Sequence, residues 1–314
     1  MLEEHAQLEE VRSGRSLFVR KLRLGKTLHS SSSTGTTTYS TSLQLVCCHG
    51  TCASEQQYHP LLESIHQLLV EEHTEFKQLS IQCLLFDLVG CGQSPALPDR
   101  NAYSNAAIMA DLQALLCTHV NPNVPLVVMG HSYACNVILP MLQQSKPLHL
   151  AGCVFLSSAV RCSQNPNPNG GHPIMKLPVV LLKCLQSQLT NAFVQKGVHP
   201  DHTALCASVR QASNTNNMVV AKFYYHHHDW ADLDTVRQVA ANTSANSKLK
   251  KTASFLVLHG ASDGIIPVEA GQALANALST ELVLVDNVSH LIMLERPRAV
   301  AELVWNFLEP LCQK

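Results

Sequence analysis

A short segment, Gly130-His131-Ser132-Tyr133-Ala134, places a serine between a run of apolar residues and a helical pattern. A serine on such a strand–turn–helix segment is held in a strained conformation with its hydroxyl above the strand end. Small residues are needed two positions before and after it, where the helix start crowds the strand. Gly130 and Ala134 meet this need, although alanine departs from the strict glycine pattern and predicts a slightly tighter turn. Ser132 is therefore a candidate nucleophile.

A serine hydroxyl is a weak nucleophile and needs a histidine base that is oriented by a carboxylate. Asp263 and His290 each lie just past a short apolar run, and the order Ser, Asp, His is the one expected for this turn type. Asp286 is a rival for the carboxylate. The turn from His259 to Pro267, with glycines around the acid, favours Asp263.

The segment His49-Gly50-Thr51 follows another apolar run. The backbone N–H groups of Thr51 and Tyr133 are candidate donors to a developing oxyanion. One such donor stabilises a transition state by roughly 3–4 kcal/mol.

The sequence predicts an α/β fold, with a mostly parallel central sheet flanked by helices. The unbroken apolar runs are typical of strands that are buried on both faces. These runs are Leu43–Cys48, Ile81–Phe86, Leu126–Met129, Gly152–Ser157, Phe255–Leu258 and Leu282–Val285. Helical patterns lie between or after them, at Tyr58–Leu69, Ala102–Thr118, Tyr133–Gln144, Val268–Leu278 and Arg298–Leu308.

The alternation breaks between Ala159 and Ala245, which predicts a helical cap inserted at the carboxyl ends of the strands, where such sheets bind ligands. We expect helices there around Leu177–Leu189 and Asn217–Tyr225. The α/β core then spans 43–158 and 246–314. Residues 1–42 precede it, as a frayed polar leader over 1–15, a first strand at Ser16–Leu24 and a Ser/Thr-rich loop at His29–Ser42.

Taken together, these motifs resemble the α/β-hydrolase superfamily, and in particular the eukaryotic α/β-hydrolase-domain serine hydrolases of esterase or lipase type. The resemblance runs from about Leu43 to Leu308. Its landmarks are the segments His49–Thr51, Asp87–Ser94, Gly130–Ala134, His259–Pro267 and Ser289–Pro297.

By this resemblance, Ser132 is the nucleophile and His290 is the general base and then the general acid. Asp263 orients His290, and Thr51 and Tyr133 supply the oxyanion hole. The cap of such proteins shapes the acyl pocket.

Composition narrows the classes of function. The chain has 314 residues and a net charge of −1, without the basic excess of nucleic-acid binders. No apolar run approaches the ~18 residues of a transmembrane helix. The 12 scattered cysteines and the acidic N-terminus predict a reducing, cytoplasmic location. The sequence does not specify an oligomeric state.

No cofactor and no metal are expected. The cap contains His226–His228 and the pair His199 and His202, but consecutive helical residues point about 100° apart and cannot all face one ion. These histidines predict a polar cap surface. Cys52 and Cys91 lie near the predicted site without an assigned base.

The expected function is cleavage of a carboxylic ester or thioester of an acyl or lipid-like small molecule. Lipid acyl transfer and carbon–carbon bond hydrolysis use the same three residues and stay open. Some lipid acyltransferases on this fold have an aspartate five residues after the histidine. Here that position is Glu295, so the pattern is incomplete. The alternative outside the enzymes is a non-catalytic interaction protein with the same fold.

Overall fold

The computed structural model describes residues 1–25, 41–72, 79–144, 149–163, 173–245 and 254–312. Its strands are β1 Leu2–Arg12, β2 Arg15–Gly25, β3 Leu43–Cys48, β4 Ser80–Phe86, β5 Leu126–His131, β6 Leu150–Leu156, β7 Ser254–Gly260 and β8 Leu282–Val285. They form one eight-stranded sheet in the order β1-β2-β4-β3-β5-β6-β7-β8.

The sheet is parallel from β4 to β8, and β2 pairs antiparallel with both β1 and β4. Every residue of β3 and β5 is buried. Such strands are continuous apolar runs because helices cover both faces of the sheet. The predicted α/β class with a mostly parallel sheet is confirmed.

The helices form layers on the two faces of the sheet. They are α1 His59–Gln67, α2 Asn105–His119, α3 Cys135–Gln144, α4 Val179–Gly197, α5 Thr203–Asn214, α6 Met218–His227, α7 Leu233–Ala245, α8 Val268–Ala277, α9 Ile292–Glu295 and α10 Pro297–Cys312. Apolar side chains of α1, α9 and α10 share one core with the sheet, and those of α2, α3, α7 and α8 share the other.

The first residues of the chain differ from expectation. The prediction of a frayed polar leader over residues 1–15 is wrong, because Leu2–Arg12 forms the edge strand β1. A turn at Gly14, with φ +69°, reverses the chain into β2. Arg12 and Arg15 both pair with the buried carboxylate of Asp111 on α2. These ion pairs hold a strand whose side chains are mostly exposed, so it lacks the apolar pattern of the buried strands.

The insertion after β6 contains α4, α5 and α6, and the tight turns that join them. Helix α7, which the sequence interpretation includes in the insertion, packs against α3 and α8 of the core. We therefore propose that the cap ends before Leu233. The predicted boundary at 246, the segment Asn165–Gly171 and residues 29–40 of the Ser/Thr-rich loop lie outside the described residues.

Membrane crossing needs a long apolar helix. Among the helices in the described ranges, none has both the length and the apolar composition to cross a bilayer.

Candidate active site

Ser132 lies at the sharp turn between β5 and α3. Its φ is +54°, in the left-handed region that non-glycine residues rarely adopt. The turn is tight: a Cβ atom added to Gly130 would lie 2.5 Å from the Cδ1 atom of Ile138 and 3.2 Å from the Cβ atom of Ala134. The Ser132 side chain keeps partial solvent exposure, whereas its neighbours His131 and Tyr133 are buried. The turn therefore presents one hydroxyl at the end of the sheet.

His290 follows β8 and contacts both of the other predicted residues. Its Nε2 atom lies 3.1 Å from the Ser132 Oγ atom, and its Nδ1 atom lies 2.8 Å from the Asp263 Oδ2 atom. Parallel strands bring their carboxyl ends to one edge of the sheet, which is why residues so distant in sequence meet. Serine, histidine and aspartate thus form one hydrogen-bonded chain.

Asp263 lies in the turn after β7, where the second oxygen of its carboxylate is also held. Oδ1 accepts the backbone N–H groups of Ile265 and Ile266 at 2.8 and 2.9 Å. Burial raises the pKa of Asp263, but the charge and hydrogen bond of His290 outweigh it, and the pKa lies below its ordinary value. The carboxylate stays ionised at neutral pH. The rival Asp286 is exposed.

The segment His49–Thr51 lies alongside Ser132. A Cβ atom added to Gly50 would lie 3.2 Å from the Ser132 Cβ atom. Within the described ranges, the backbone N–H of Thr51 has no protein acceptor, and its buried Oγ1 atom also has no partner. The loop therefore has an unused donor close to the serine.

Tyr133, the other predicted oxyanion donor, lies in the turn directly after Ser132. Its side chain is anchored by a hydrogen bond from its hydroxyl to the Asn105 Oδ1 atom. The ring packs 4.7 Å from the ring of His228, which in turn contacts Trp230 at 4.8 Å. These aromatic contacts join the serine turn to the segment that follows the inserted helix α6.

The turn at Asp87 organises the loop next to His49. The Asp87 carboxylate accepts the backbone N–H groups of Glu55 and Gln93, both at 2.7 Å. A side chain at Gly92, whose φ is +50°, would overlap that carboxylate, because an added Cβ would lie 2.1 Å from Oδ2. The Ser94 hydroxyl donates to the Asp87 carbonyl at 2.6 Å. These contacts support a structural interpretation of the motif.

Two further histidines border the site. His131 Nε2 donates to the backbone carbonyl of His290 at 3.0 Å, and burial lowers the pKa of His131 to about 3. His259 Nε2 donates to the Ile266 carbonyl at 3.0 Å and lies 3.4 Å from Asp263 Oδ2. Burial also lowers the pKa of His259. Both rings are neutral at pH 7 and hold the loops in place.

The end of the inserted helix α4 also holds these loops, a contribution that the sequence did not predict. The carbonyl of Lys196 accepts the Gly264 N–H at 3.2 Å and the Ser289 hydroxyl at 2.5 Å. The carbonyl of Gly197 accepts the His290 N–H at 3.2 Å. Backbone carbonyls at the end of α4 carry no side-chain signature, so no sequence signal could have identified them.

The cysteines near the site and the histidines of the insertion are not arranged for catalysis or metal binding in the described residues. Burial raises the pKa of the Cys52 thiol to about 12 and that of Cys91 well above its ordinary value, so both stay protonated. In the part of the chain that the structure describes, no group of three or more His, Cys, Asp or Glu side chains is arranged to hold a metal ion. His226 is exposed, and His227 and His228 are half-buried.

Comparison with known protein families assigns the chain to one of them. The profile of the Alpha/beta hydrolase family matches residues 45–303. The chain belongs to this family. Among curated proteins, it is similar to Protein ABHD8 of Bos taurus, with 25% identity over 235 residues, which is 74% of this chain and 51% of that protein. The chain thus spans about half the length of the curated relatives that it matches.

Among solved structures, a thermophilic esterase from Thermogutta terrifontis aligns with a TM-score of 0.69 and 16% identity, covering 98% of this chain and 99% of that one. An enol-lactonase from Burkholderia xenovorans LB400 aligns with a TM-score of 0.67 and 15% identity, covering 96% and 100%. At these identities the likeness establishes the α/β-hydrolase fold.

Proposed function

We propose that the protein is a serine hydrolase that cleaves a carboxylic ester or thioester through an acyl-enzyme. The observation that carries the proposal is the continuous chain from Ser132 Oγ to His290 Nε2 at 3.1 Å and from His290 Nδ1 to Asp263 Oδ2 at 2.8 Å. The base is within hydrogen-bonding reach of both the nucleophile and the orienting carboxylate.

In the first half of the reaction, the Ser132 oxygen bonds to the substrate carbonyl carbon while His290 Nε2 takes the serine proton. The carbonyl oxygen becomes an oxyanion, which accepts hydrogen bonds from the backbone N–H groups of Thr51 and Tyr133. The bond to the leaving alcohol or thiol then breaks, and His290 returns the proton to that group. Asp263, ionised because its pKa is lowered, stabilises the imidazolium in between.

In the second half, water replaces the alcohol. His290 Nε2 removes a proton from a water molecule as its oxygen attacks the acyl carbon, and the same oxyanion forms again. Collapse breaks the acyl–serine bond, the proton returns to Ser132 Oγ, and the carboxylic acid leaves. No further group is required for this cycle, because each proton passes through the one imidazole.

The cap supports an acyl or lipid-like substrate. Leu182, Met218 and Ala221 form a buried apolar cluster that also contacts Cys52, the neighbour of Thr51. Esterase and enol-lactonase relatives of the same fold act, by their names, on acyl–oxygen bonds. We infer that the acyl chain lies between this cluster and the serine.

Labelling with a fluorophosphonate probe tests the nucleophile. The folded wild-type protein should be labelled, and Ser132→Ala should lose both the label and about 10⁶-fold in kcat on p-nitrophenyl esters. Ser208→Ala, at an exposed serine of α5, is the control and should keep both. Absence of labelling in folded wild-type protein would favour a non-catalytic binding protein on this fold.

A panel of p-nitrophenyl esters of increasing chain length then defines the acyl group. Product analysis with a long-chain thioester, in the presence and absence of a lysolipid, separates hydrolysis from acyl transfer, since transfer yields a diacyl product and hydrolysis a free acid. A dominant diacyl product would replace hydrolysis with the transferase alternative.

A further inference from the structure

Glu295, at the end of α9, is a buried carboxylate that the mechanism does not use. It is 6% exposed. Its oxygens accept the N–H of Ser289 at 3.1 Å and the N–H of Leu291 at 3.1 Å. These are the residues directly before and after His290. One carboxylate therefore holds the backbone on both sides of the imidazole.

The same carboxylate also reaches the cap. Its Oε2 atom accepts the backbone N–H of His199 at 2.7 Å, just after the end of α4. In the opposite direction, the Gly197 carbonyl of α4 accepts the His290 N–H at 3.2 Å. Val194 and Val198 of this segment pack with Leu291 in one apolar cluster. Hydrogen bonds in both directions and apolar contact thus join the cap to the loop of the base.

We propose that Glu295 is a positioning residue: it fixes His290 within reach of Ser132 and Asp263 and ties that position to the end of α4. This inference rests on the proposed hydrolase function. The triad distances tolerate displacements of only ~0.5 Å, and a 1 Å misplacement typically costs about 10²-fold in rate. Without its acceptor, the loop has two buried N–H groups that seek other partners.

The test compares Glu295→Ala and Glu295→Gln in the full chain, with a short p-nitrophenyl ester as substrate. Glu295→Ala should lower kcat by about 10²-fold with little change in KM, because the short ester makes few contacts with the cap. Glu295→Gln keeps one oxygen, which can accept two N–H groups, and should show an intermediate loss.

Asp111→Asn is the matched control. Asp111 of α2 is also a buried carboxylate, 1% exposed, but it pairs with Arg12 and Arg15 of the two N-terminal strands. This variant should lower the melting temperature without lowering kcat. For each variant, the loss of kcat is compared with the loss of melting temperature. If this ratio is the same for Glu295→Gln and Asp111→Asn, Glu295 only stabilises the fold and the inference is overturned. This comparison also decides the matter if Glu295→Ala does not fold.

Proton NMR gives a readout that does not depend on turnover. The hydrogen bond from His290 Nδ1 to Asp263 should give a low-field proton signal in the wild type and in Asp111→Asn, and the signal should be lost or shifted in the Glu295 variants. An unchanged signal together with wild-type kcat in a folded Glu295 variant would refute the positioning role. Failure of the wild type to hydrolyse any ester, with the signal changes as expected, would instead refute the proposed function alone.

Discussion

Asp263 and His290 differ from Ser132 in how firmly they are held. Both Asp263 oxygens are engaged, one by two backbone N–H groups and the other by His290. The Ser132 hydroxyl has partial exposure and a contact to His290 at 3.1 Å. In the proposed mechanism, the reacting atom is thus accessible while the groups that activate it are fixed. This is the arrangement that preorganised catalysis requires.

At the scale of single residues, Asp263→Asn tests whether the Asp263 carboxylate orients His290 and stabilises its charged form. The amide fits the same space, but it no longer stabilises the imidazolium and favours the wrong tautomer of His290. We expect a fall of about 10⁴-fold in kcat with an unchanged fold, measured by ester hydrolysis and circular dichroism. Asp286→Asn, at the exposed rival, should have wild-type activity. The reverse result would make Asp286 the orienting acid.

At the scale of elements, the parallel part of the sheet and the positions after its strands could be predicted, because each depends on a local pattern. Apolar runs define β3 and β8 with the observed bounds. The edge strand β1 could not be predicted, because ion pairs to residues such as Asp111 hold it rather than apolar burial. The role of Lys196 and Gly197 could not be predicted either, because it uses backbone atoms. Whether α7 belongs to the core or to the insertion could not be predicted, because it depends on the packing of α7 against α3 and α8.

Close packing between elements gives a prediction at Gly260, the last residue of β7. A Cβ atom added there would lie 1.9 Å from the Ser289 carbonyl oxygen, next to His290. Gly260→Ala should therefore lower the free energy of unfolding by about 1–3 kcal/mol and reduce kcat, because the backbone beside the base must move. Urea denaturation and ester hydrolysis measure the two effects.

Gly197→Ala provides the control for that substitution. An added Cβ at Gly197 would meet only side-chain atoms at 3.5 Å or more, and its carbonyl would still accept the His290 N–H. This variant should keep wild-type stability and activity. Equal effects of the two substitutions would mean that the contact between Gly260 and Ser289 is not what holds the loop.

Over the whole molecule, histidines that their surroundings keep neutral make stability depend on pH. Burial lowers the pKa of His131 to about 3 and that of His228 to about 4, from 6.5 in the unfolded chain. Below pH 6.5 the unfolded chain therefore binds protons that the folded protein excludes. The free energy of unfolding should fall as pH decreases from about 6.5 towards 4, by up to about 1.4 kcal/mol per pH unit for each histidine.

Urea denaturation between pH 7 and pH 4.5 measures this slope. His228→Phe keeps an aromatic ring between Tyr133 and Trp230 and removes one titrating group, so its slope should be smaller by about 1.4 kcal/mol per pH unit. An unchanged slope in this variant would mean that His228 is protonated to the same extent in both states.

The left-handed backbone at Ser132, with φ +54°, lowers the stability of the fold at the same residue whose hydroxyl the turn presents. Glycine adopts this conformation at no steric cost, so Ser132→Gly removes the strain together with the hydroxyl. Under the proposed mechanism, the strain at this turn is the cost of presenting the nucleophilic hydroxyl.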